Sequence, residues 1–233
     1  MIDFHSHILP GIDDGSKSAE MSLQMLRALQ SQGVDTVCAT SHFYATQRSP
    51  QRFLQRRSEA FERLRQILPY DAPKILLGAE VLYFPGVSRM AELPQLCLES
   101  TRVLMLEMPF EPWTDYMVRE VSELARASEF RILLAHIERY CFRQQPAVWD
   151  MLLDYGVLMQ SNAAFFLSFP SRRKALRLLK EGRIHLLGSD CHNMTDRAPR
   201  MGEAGVMIRR KLGERTLEEI DELGRLLLAE GRL

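Results

Sequence analysis

Short apolar runs, separated by longer segments of mixed polarity, recur along the whole chain. Seven of them read as strands: Ile2–Phe4, Val34–Ala39, Ile75–Val81, Val103–Leu106, Ile132–Ala135, Val157–Gln160 and Ile184–Leu187. Several are apolar at consecutive positions, the pattern of strands buried on both faces. The segments between them carry helical spacing. Met21, Met25, Leu26 and Leu29 form one apolar stripe, with Gly33 just past its end. Pro146 opens another helix that Gly156 closes, and a third runs from Ser171 to Glu181 and stops at Gly182. Leu217, Ile220, Leu223 and Leu227 predict a closing amphipathic helix. Proline in the first turn and glycine after the last are ordinary helix punctuation. This alternation predicts an α/β fold: a parallel sheet with right-handed crossovers, closed or nearly closed. No G-x-G-x-x-G follows any strand, which favours a barrel over a doubly wound sheet.

No repeat, low-complexity tract or Pro/Gly/Ser-rich linker divides the 233 residues, so a single domain spanning 1–233 is expected. At 46% hydrophobic the chain can bury a sizeable core. Its 30 basic and 30 acidic side chains cancel, which gives no electrostatic reason to expect nucleic acid as a partner. Cys38, Cys97, Cys141 and Cys191 lie far apart with no C-x-x-C pair, and read as reduced thiols of a cytoplasmic protein. No run approaches the ~20 apolar residues of a transmembrane helix. A cleaved leader would remove the motif that begins at Asp3, so none is expected. A homo-oligomer is compatible with all of this.

The chemistry gathers at one end of the predicted strands. His5 and His7 end the first, with Asp13 and Asp14 in the next loop; the second leads to His42 and the third carries Glu80. Glu107 ends the fourth, His136 the fifth with Glu138 and Arg139 beside it; the sixth leads to Asn162 and the seventh to Asp190 and His192. In a parallel barrel these ends share one face, the face that carries active sites. Five of the six histidines fall in this set. Residues i and i+2 of a strand point the same way, so His5 and His7 can reach one metal ion. Imidazole and carboxylate together suit Mn²⁺, Fe²⁺ or Zn²⁺, and cations are the simplest compensation for so many carboxylates in one mouth.

The stretches Asp3–Ser16 (DFHSHILPGIDDGS), Ala39–Phe43 (ATSHF), Gly78–Glu80 (GAE), Ala135–Tyr140 (AHIERY) and Gly188–Asn193 (GSDCHN) resemble the PHP superfamily. More narrowly, they are similar to the bacterial manganese-dependent protein-tyrosine phosphatases of capsular and exopolysaccharide operons. The resemblance implies a distorted seven-stranded β/α barrel holding two or three divalent ions, Mn²⁺ foremost. It implies one ion on His5, His7, Glu80 and Asp190, a second on Glu80, Glu107 and His136, and a third on Asp14, His42 and His192. It makes Arg139 and Arg197 phosphate-binding, with hydrolysis by metal-activated hydroxide. The implied substrate is a phosphotyrosine protein, the C-terminal tail of a bacterial tyrosine kinase. The chain departs from the family in having Ser41 and Phe43 beside His42, where proline and histidine are frequent; this bears on the substrate rim.

Other readings compete. Cys191 to Arg197 spells C-x5-R, the motif of cysteine-dependent tyrosine phosphatases, but the intervening residues contain no glycine and Asp190 disfavours a thiolate. His185 within an apolar strand reads as structural, and Asp13 as an orienting or capping group. Glu138 reads equally as a support for the site or an exposed loop carboxylate, and Asn162 as lining the pocket or satisfying backbone. Arg48, Arg52, Arg56 and Arg57 form a basic stretch entering a helix; bordering the site, they would attract an acidic phosphotyrosine tail. The alternatives to a tyrosine phosphatase are a PHP phosphatase of a small phosphomonoester such as histidinol phosphate, a nuclease of the same superfamily, and a non-catalytic metal-binding scaffold.

Overall fold

A computed structural model of the protein describes residues 1–127 and 129–230; Ser128 and residues 231–233, part of the expected single unit, lie outside the described residues. In chain order the elements are β1 (Ile2–Ser6), α1 (Ala19–Ser31), β2 (Thr36–Ala39), β3 (His42–Phe43), α2 (Pro50–Arg65), β4 (Lys74–Leu77), β5 (Glu80–Leu82), α3 (Leu93–Leu96) and β6 (Val103–Glu107). There follow α4 (Asp115–Arg126), β7 (Arg131–Leu134), α5 (Pro146–Asp154), β8 (Leu158–Asn162), α6 (Phe169–Lys180), β9 (Leu186–Gly188), α7 (Met201–Leu212) and α8 (Glu214–Ala229).

All strand pairings are parallel, in a half-barrel built from one sheet of order β1-β2-β4 and another of order β3-β5-β6-β7-β8-β9. The expected seven strands are thus nine among the described residues. One expected strand, Ile75–Val81, breaks at Gly78 and Ala79, and its two halves join different sheets. Gly78 is required there, since a Cβ on it would lie 2.6 Å from the Leu98 side chain. The strand after Val34 likewise breaks at Thr40 and Ser41 and resumes at His42. Backbone bonds from Gly78 N–H to Ala39 O and from Glu80 N–H to Ser41 O keep the broken strands side by side.

Side chains on the strands alternate between two cores. Leu104 and Leu106 of β6, and Ile132 and Leu134 of β7, pack outward beneath the helices. Val103, Met105 and Leu133 turn to a second cluster with Ile2, Phe4, Cys38, Leu76 and Leu186. This second cluster is the interior of the curved sheet, and Leu227 of α8 closes it from below, flanked by Leu223. α8 can approach so closely because Gly224 faces β1. A Cβ at that position would lie 2.8 Å from the Phe4 ring and 3.1 Å from Ile2 Cδ1.

Helix boundaries follow their local chemistry. Ser18, Ser49 and Thr114 cap α1, α2 and α4 by accepting the N–H three residues on. Pro146 opens α5, and Gly33, Gly156 and Gly182 adopt positive φ just past α1, α5 and α6. α6 starts two residues earlier than its apolar spacing suggests, at Phe169.

Gly224→Ala sets about 1 kcal/mol of helix propensity gained against overpacking of about 1–3 kcal/mol at the Phe4 ring. The expected outcome in urea unfolding is a net loss of about 1 kcal/mol, and a larger one for Gly224→Val, which gains less propensity. A stabilised Gly224→Val protein would show that α8 does not press on β1.

Candidate metal centre

The inner face of the sheet changes from apolar to polar toward the C-terminal ends of the strands. In β1 the pairing register with β2 slips by one residue between Asp3 and Ser6. Beyond this bulge His5 and His7 share a side, as i, i+2 residues of extended backbone do. Their Nε2 atoms lie 3.1 Å apart. Glu107 follows Val103 and Met105 on the inward side of β6, and Gln160 and Asn162 follow Leu158 on β8.

Two site residues sit in left-handed backbone that side chains rarely adopt: His136 at φ 34° and Asp190 at φ 51°. The surroundings hold both. Gln160 Oε1 accepts the His136 N–H at 2.6 Å, and the Asp190 N–H donates to His5 O at 2.7 Å. Asp3, fully buried, accepts from Ser189 N–H at 2.7 Å and from His5 N–H at 3.2 Å; burial raises its pKa to about 6 despite those donors. Gly188 leaves the space the site needs, because a Cβ there would lie 2.5 Å from His5 Cβ and 2.7 Å from Gln160 Nε2.

Glu80 lies at the centre, 1% exposed. Its Oε1 is 2.7 Å from His136 Nε2; its Oε2 is 2.9 Å from His42 Nδ1 and 3.3 Å from both His5 Nε2 and His7 Nε2. Burial alone would raise its pKa, but the surrounding histidines outweigh burial and hold it well below the usual range. Asp190 Oδ1 stands 3.6 Å and 3.5 Å from the same two histidine nitrogens. Glu107 Oε1 is 3.4 Å from His136 Nε2, and Asp14 Oδ1 is 3.4 Å from His42 and 3.3 Å from His192. Ligand atoms within 4.8 Å of one another form three overlapping groups: His5, His7 and Asp190; His7, Asp14, His42 and His192; His42, Glu80 and Glu107.

Every residue named from sequence as a ligand is therefore in one cluster. The grouping differs in part, since Glu80 and Glu107 group with His42, while His136 touches both carboxylates from the other side. The donor chemistry suits divalent cations. Buried Glu80 Oε2, His42 Nδ1 and His192 Nε2 have no hydrogen-bond partner, although each points into a set of potential ligands.

The outward nitrogens of these histidines are held by groups the sequence did not single out. His5 Nδ1 lies 3.2 Å from Gln160 Oε1, and His136 Nδ1 lies 3.3 Å from the hydroxyl of fully buried Tyr140. His192 Nδ1 is 3.0 Å from the Asp190 carbonyl. Asp13, expected to orient, receives His7 Nδ1 at 2.9 Å and His42 N–H at 3.0 Å. Such partners fix ring orientation and tautomer, leaving the inner nitrogen for a metal. The signal for Gln160 was an amide that closes an otherwise apolar expected strand, Val157–Gln160. Asn162 Nδ2 donates to Asp190 Oδ2 at 2.8 Å, so it belongs to the site. Glu138 accepts from Ser161 and from Asn162 N–H, bracing the end of β8. His185 Nδ1 accepts the Met159 N–H at 3.0 Å, a structural role as expected.

Arg139 and Arg197 converge on Asp190 from opposite oxygens, Nη2 to Oδ2 at 2.8 Å and Nη2 to Oδ1 at 2.7 Å. Both are about one-third exposed, at the mouth of the cluster. Cys191, by contrast, is fully buried, and burial pushes its thiol far above the ordinary range. Its N–H donates to Ser189 Oγ, and Asn193 Oδ1 occupies the N–H groups of Thr195 and Arg197. Burial and a raised pKa both disfavour the exposed thiolate that the C-x5-R motif requires.

The burial of His136 disfavours its charged form, yet Glu107 and Glu80 outweigh burial and raise its pKa to about 9. His7 is raised in the same way by Asp13, Asp190 and Glu80.

A tyrosine-protein phosphatase, YwqE of Bacillus subtilis strain 168, is 29% identical over 239 residues, covering 98% of this chain and 91% of that protein. The tyrosine-protein phosphatase CpsB of Streptococcus pneumoniae is 30% identical over 237 residues, with 94% of each covered. Among solved structures, one described with YwqE and CpsB as unique metal-dependent tyrosine phosphatases superposes with a TM-score of 0.85 at 26% identity, covering 100% of this chain and 96% of that one. A histidinol phosphate phosphatase of Lactococcus lactis shares the fold at a TM-score of 0.54 and 14% identity, over 90% and 92% of the two chains. The family model for capsular polysaccharide synthesis, CpsB/CapC, matches residues 1–222, and the chain belongs to that family.

Proposed function

We propose that this protein is a metal-dependent protein-tyrosine phosphatase. Its substrate would be a phosphotyrosine protein, the tail of a bacterial tyrosine kinase that controls capsular or exopolysaccharide synthesis. The observation that carries the reading is the set of three overlapping groups of potential ligand atoms, most of them buried, with two arginines converging at their mouth. Two or three divalent cations fit these donors, Mn²⁺ first and Fe²⁺ or Zn²⁺ as alternatives. His5, His7, Glu80 and Asp190 would hold one, Glu80, Glu107 and His136 a second, and Asp14, His42 and His192 a third. When bound, the cations supply Lewis acidity and hydroxide near neutral pH.

The chain's own groups do the rest. Arg139 and Arg197 would bind the phosphoryl oxygens and stabilise charge as it develops on them. The phenolate leaving group needs little protonation, so no strong general acid is required. Gln160, Asp13 and Tyr140 hold the histidine rings in place. We read the architecture as one distorted seven-position barrel, in which β2 with β3 and β4 with β5 count as interrupted strands; backbone bonds between His5–His7 and Asp190–Cys191 support closure beside β1. The free thiols of Cys38, Cys97, Cys141 and Cys191 support a reducing, cytoplasmic setting. No helix among the described residues is long and apolar enough to cross a membrane.

Hydrolysis of a phosphotyrosine peptide tests the reading. Activity should require added Mn²⁺, vanish with chelator, survive Cys191→Ser and fall by at least about a hundredfold in His136→Ala. Arg139→Ala or Arg197→Ala should lower kcat by about 10²–10³-fold, the usual cost of removing one charge-stabilising donor. Activity that ignores chelator, or turnover confined to small phosphomonoesters, would refute the assignment. Gln160→Ala should weaken metal affinity or activity by about 10–100-fold; an unchanged Gln160→Ala enzyme would deny that residue its orienting role.

Titration gives a further expectation. A ligating imidazole must be neutral, so binding displaces the proton that His136 carries below about pH 9. Apparent Mn²⁺ affinity, measured calorimetrically between pH 6.5 and 8.5, should tighten by up to about tenfold per pH unit for each proton displaced. The metal-free fold should respond oppositely. The raised pKa of His136 adds stability that is full below its ordinary value of 6.5 and is lost as pH climbs through about 9. Flat affinity across this range would contradict the assignment of His136 as a ligand.

A further inference from the structure

Beside the histidine cluster opens a cavity of about 400 Å³, lined by Asp14, His42, Tyr44, Gln47, Arg48 and Arg56 among others. Tyr44 stacks on His42 with ring centroids 5.2 Å apart, so the cavity is continuous with the metal centre. The carboxylates in its wall are turned to histidines. Asp13 is bound to His7, and Asp14 approaches His42 and His192 and lies 3.8 Å from Arg197.

The arginines have no such partner. Arg48 Nη1 donates to Ile12 O at 3.3 Å, and Arg56 Nη2 to Gly11 O at 3.1 Å and Ile12 O at 3.3 Å. Among the described residues neither meets a carboxylate. Arg52, exposed on α2 one turn before Arg56, has no ion pair among the described residues either. A guanidinium carries five donors, and holding one or two loop carbonyls uses few of them. A chain with zero net charge thus places two cations without a carboxylate partner, Arg48 and Arg56, in the wall of the cavity beside its candidate metal site, with Arg52 outside that wall on α2.

We propose that Arg48 and Arg56, with Arg52 at the outer edge, form a subsite for anionic groups flanking the phosphotyrosine of a peptide substrate. This rests on the phosphotyrosine reading of the adjacent site. The shared chemistry is a carboxylate of Glu or Asp, or the phosphoryl group of a second phosphotyrosine. The attraction acts mainly on KM and weakens as salt screens it.

The test uses the full chain loaded with Mn²⁺ and four substrates. They are a phosphotyrosine peptide with Gln flanks, its Glu-flanked counterpart, a counterpart with a second phosphotyrosine, and p-nitrophenyl phosphate. The wild-type enzyme should favour the anionic peptides in kcat/KM, through KM, by roughly fivefold for each charge pair formed near the surface. Arg48→Gln with Arg56→Gln should abolish that preference, and Arg48→Lys with Arg56→Lys should keep most of it. A preference for only one anionic peptide assigns the ligand as carboxylate or phosphoryl. Equal kcat/KM for all three peptides in the wild type would overturn the subsite. So would a glutamine double variant that loses activity on every substrate in equal proportion, since the arginines would then only hold the Gly11–Asp14 loop. Turnover of p-nitrophenyl phosphate with no turnover of any phosphotyrosine peptide would instead overturn the phosphotyrosine reading, and the subsite with it.

Discussion

The structure is organised around a buried carboxylate that cannot exist alone. Glu80, at 1% exposure, sits within 3.3 Å of nitrogens from His5, His7, His42 and His136, which reach it from three different segments of chain. An isolated ionised carboxylate at that depth is expensive. Its charge is tolerated only because the fold brings cationic or metal-binding partners to it from every side. The breaks after β2 and β4 serve this convergence, since each restarts a strand at a site residue, His42 and Glu80 respectively.

The strain recorded at the same end of the sheet follows from this demand. His136 and Asp190 each occupy left-handed backbone, at a cost of about 1–3 kcal/mol apiece. Each is fixed by a bond to a neighbouring strand rather than by its own local preference. The opposite end of the sheet holds the apolar interior cluster sealed by α8, where Phe4, Met105 and Leu133 are fully or almost fully buried. Burial of such side chains at about 1.5–3 kcal/mol each can outweigh the strain. Division of labour along each strand, packing below and chemistry above, is what lets the mouth be strained and polar.

Much of this was legible in the sequence because the candidate ligands lie at or just past the ends of apolar runs, where periodicity locates strand ends. His5, His7, Glu107, His136 and Asp190 needed nothing more. The break within Ile75–Val81 was illegible, because Gly78–Ala79 read as part of one apolar strand, and the short strand at His42–Phe43 was not expected beyond Val34–Ala39. The break depends on contacts with distant chain, as Gly78 against Leu98 shows. α4 lacks an unambiguous local stripe, since its face includes buried Glu120, which receives Tyr83 and Ser88 from a distant turn. Gln160 and Gly188 share that difficulty. The first matters through its bonds to His5 and His136, the second through the side chain it does not have.

The same geometry separates two chemistries that the sequence left side by side. Cys191 and Asp190 are neighbours in the chain, yet Asp190 turns into the cluster while Cys191 turns away into packing. Asp190 itself holds a left-handed conformation, at φ 51°. A thiolate needs stabilising positive charge, and the nearby arginines are already committed to Asp190 on both of its oxygens. The arginine that completes the cysteine motif on paper therefore serves the carboxylate instead.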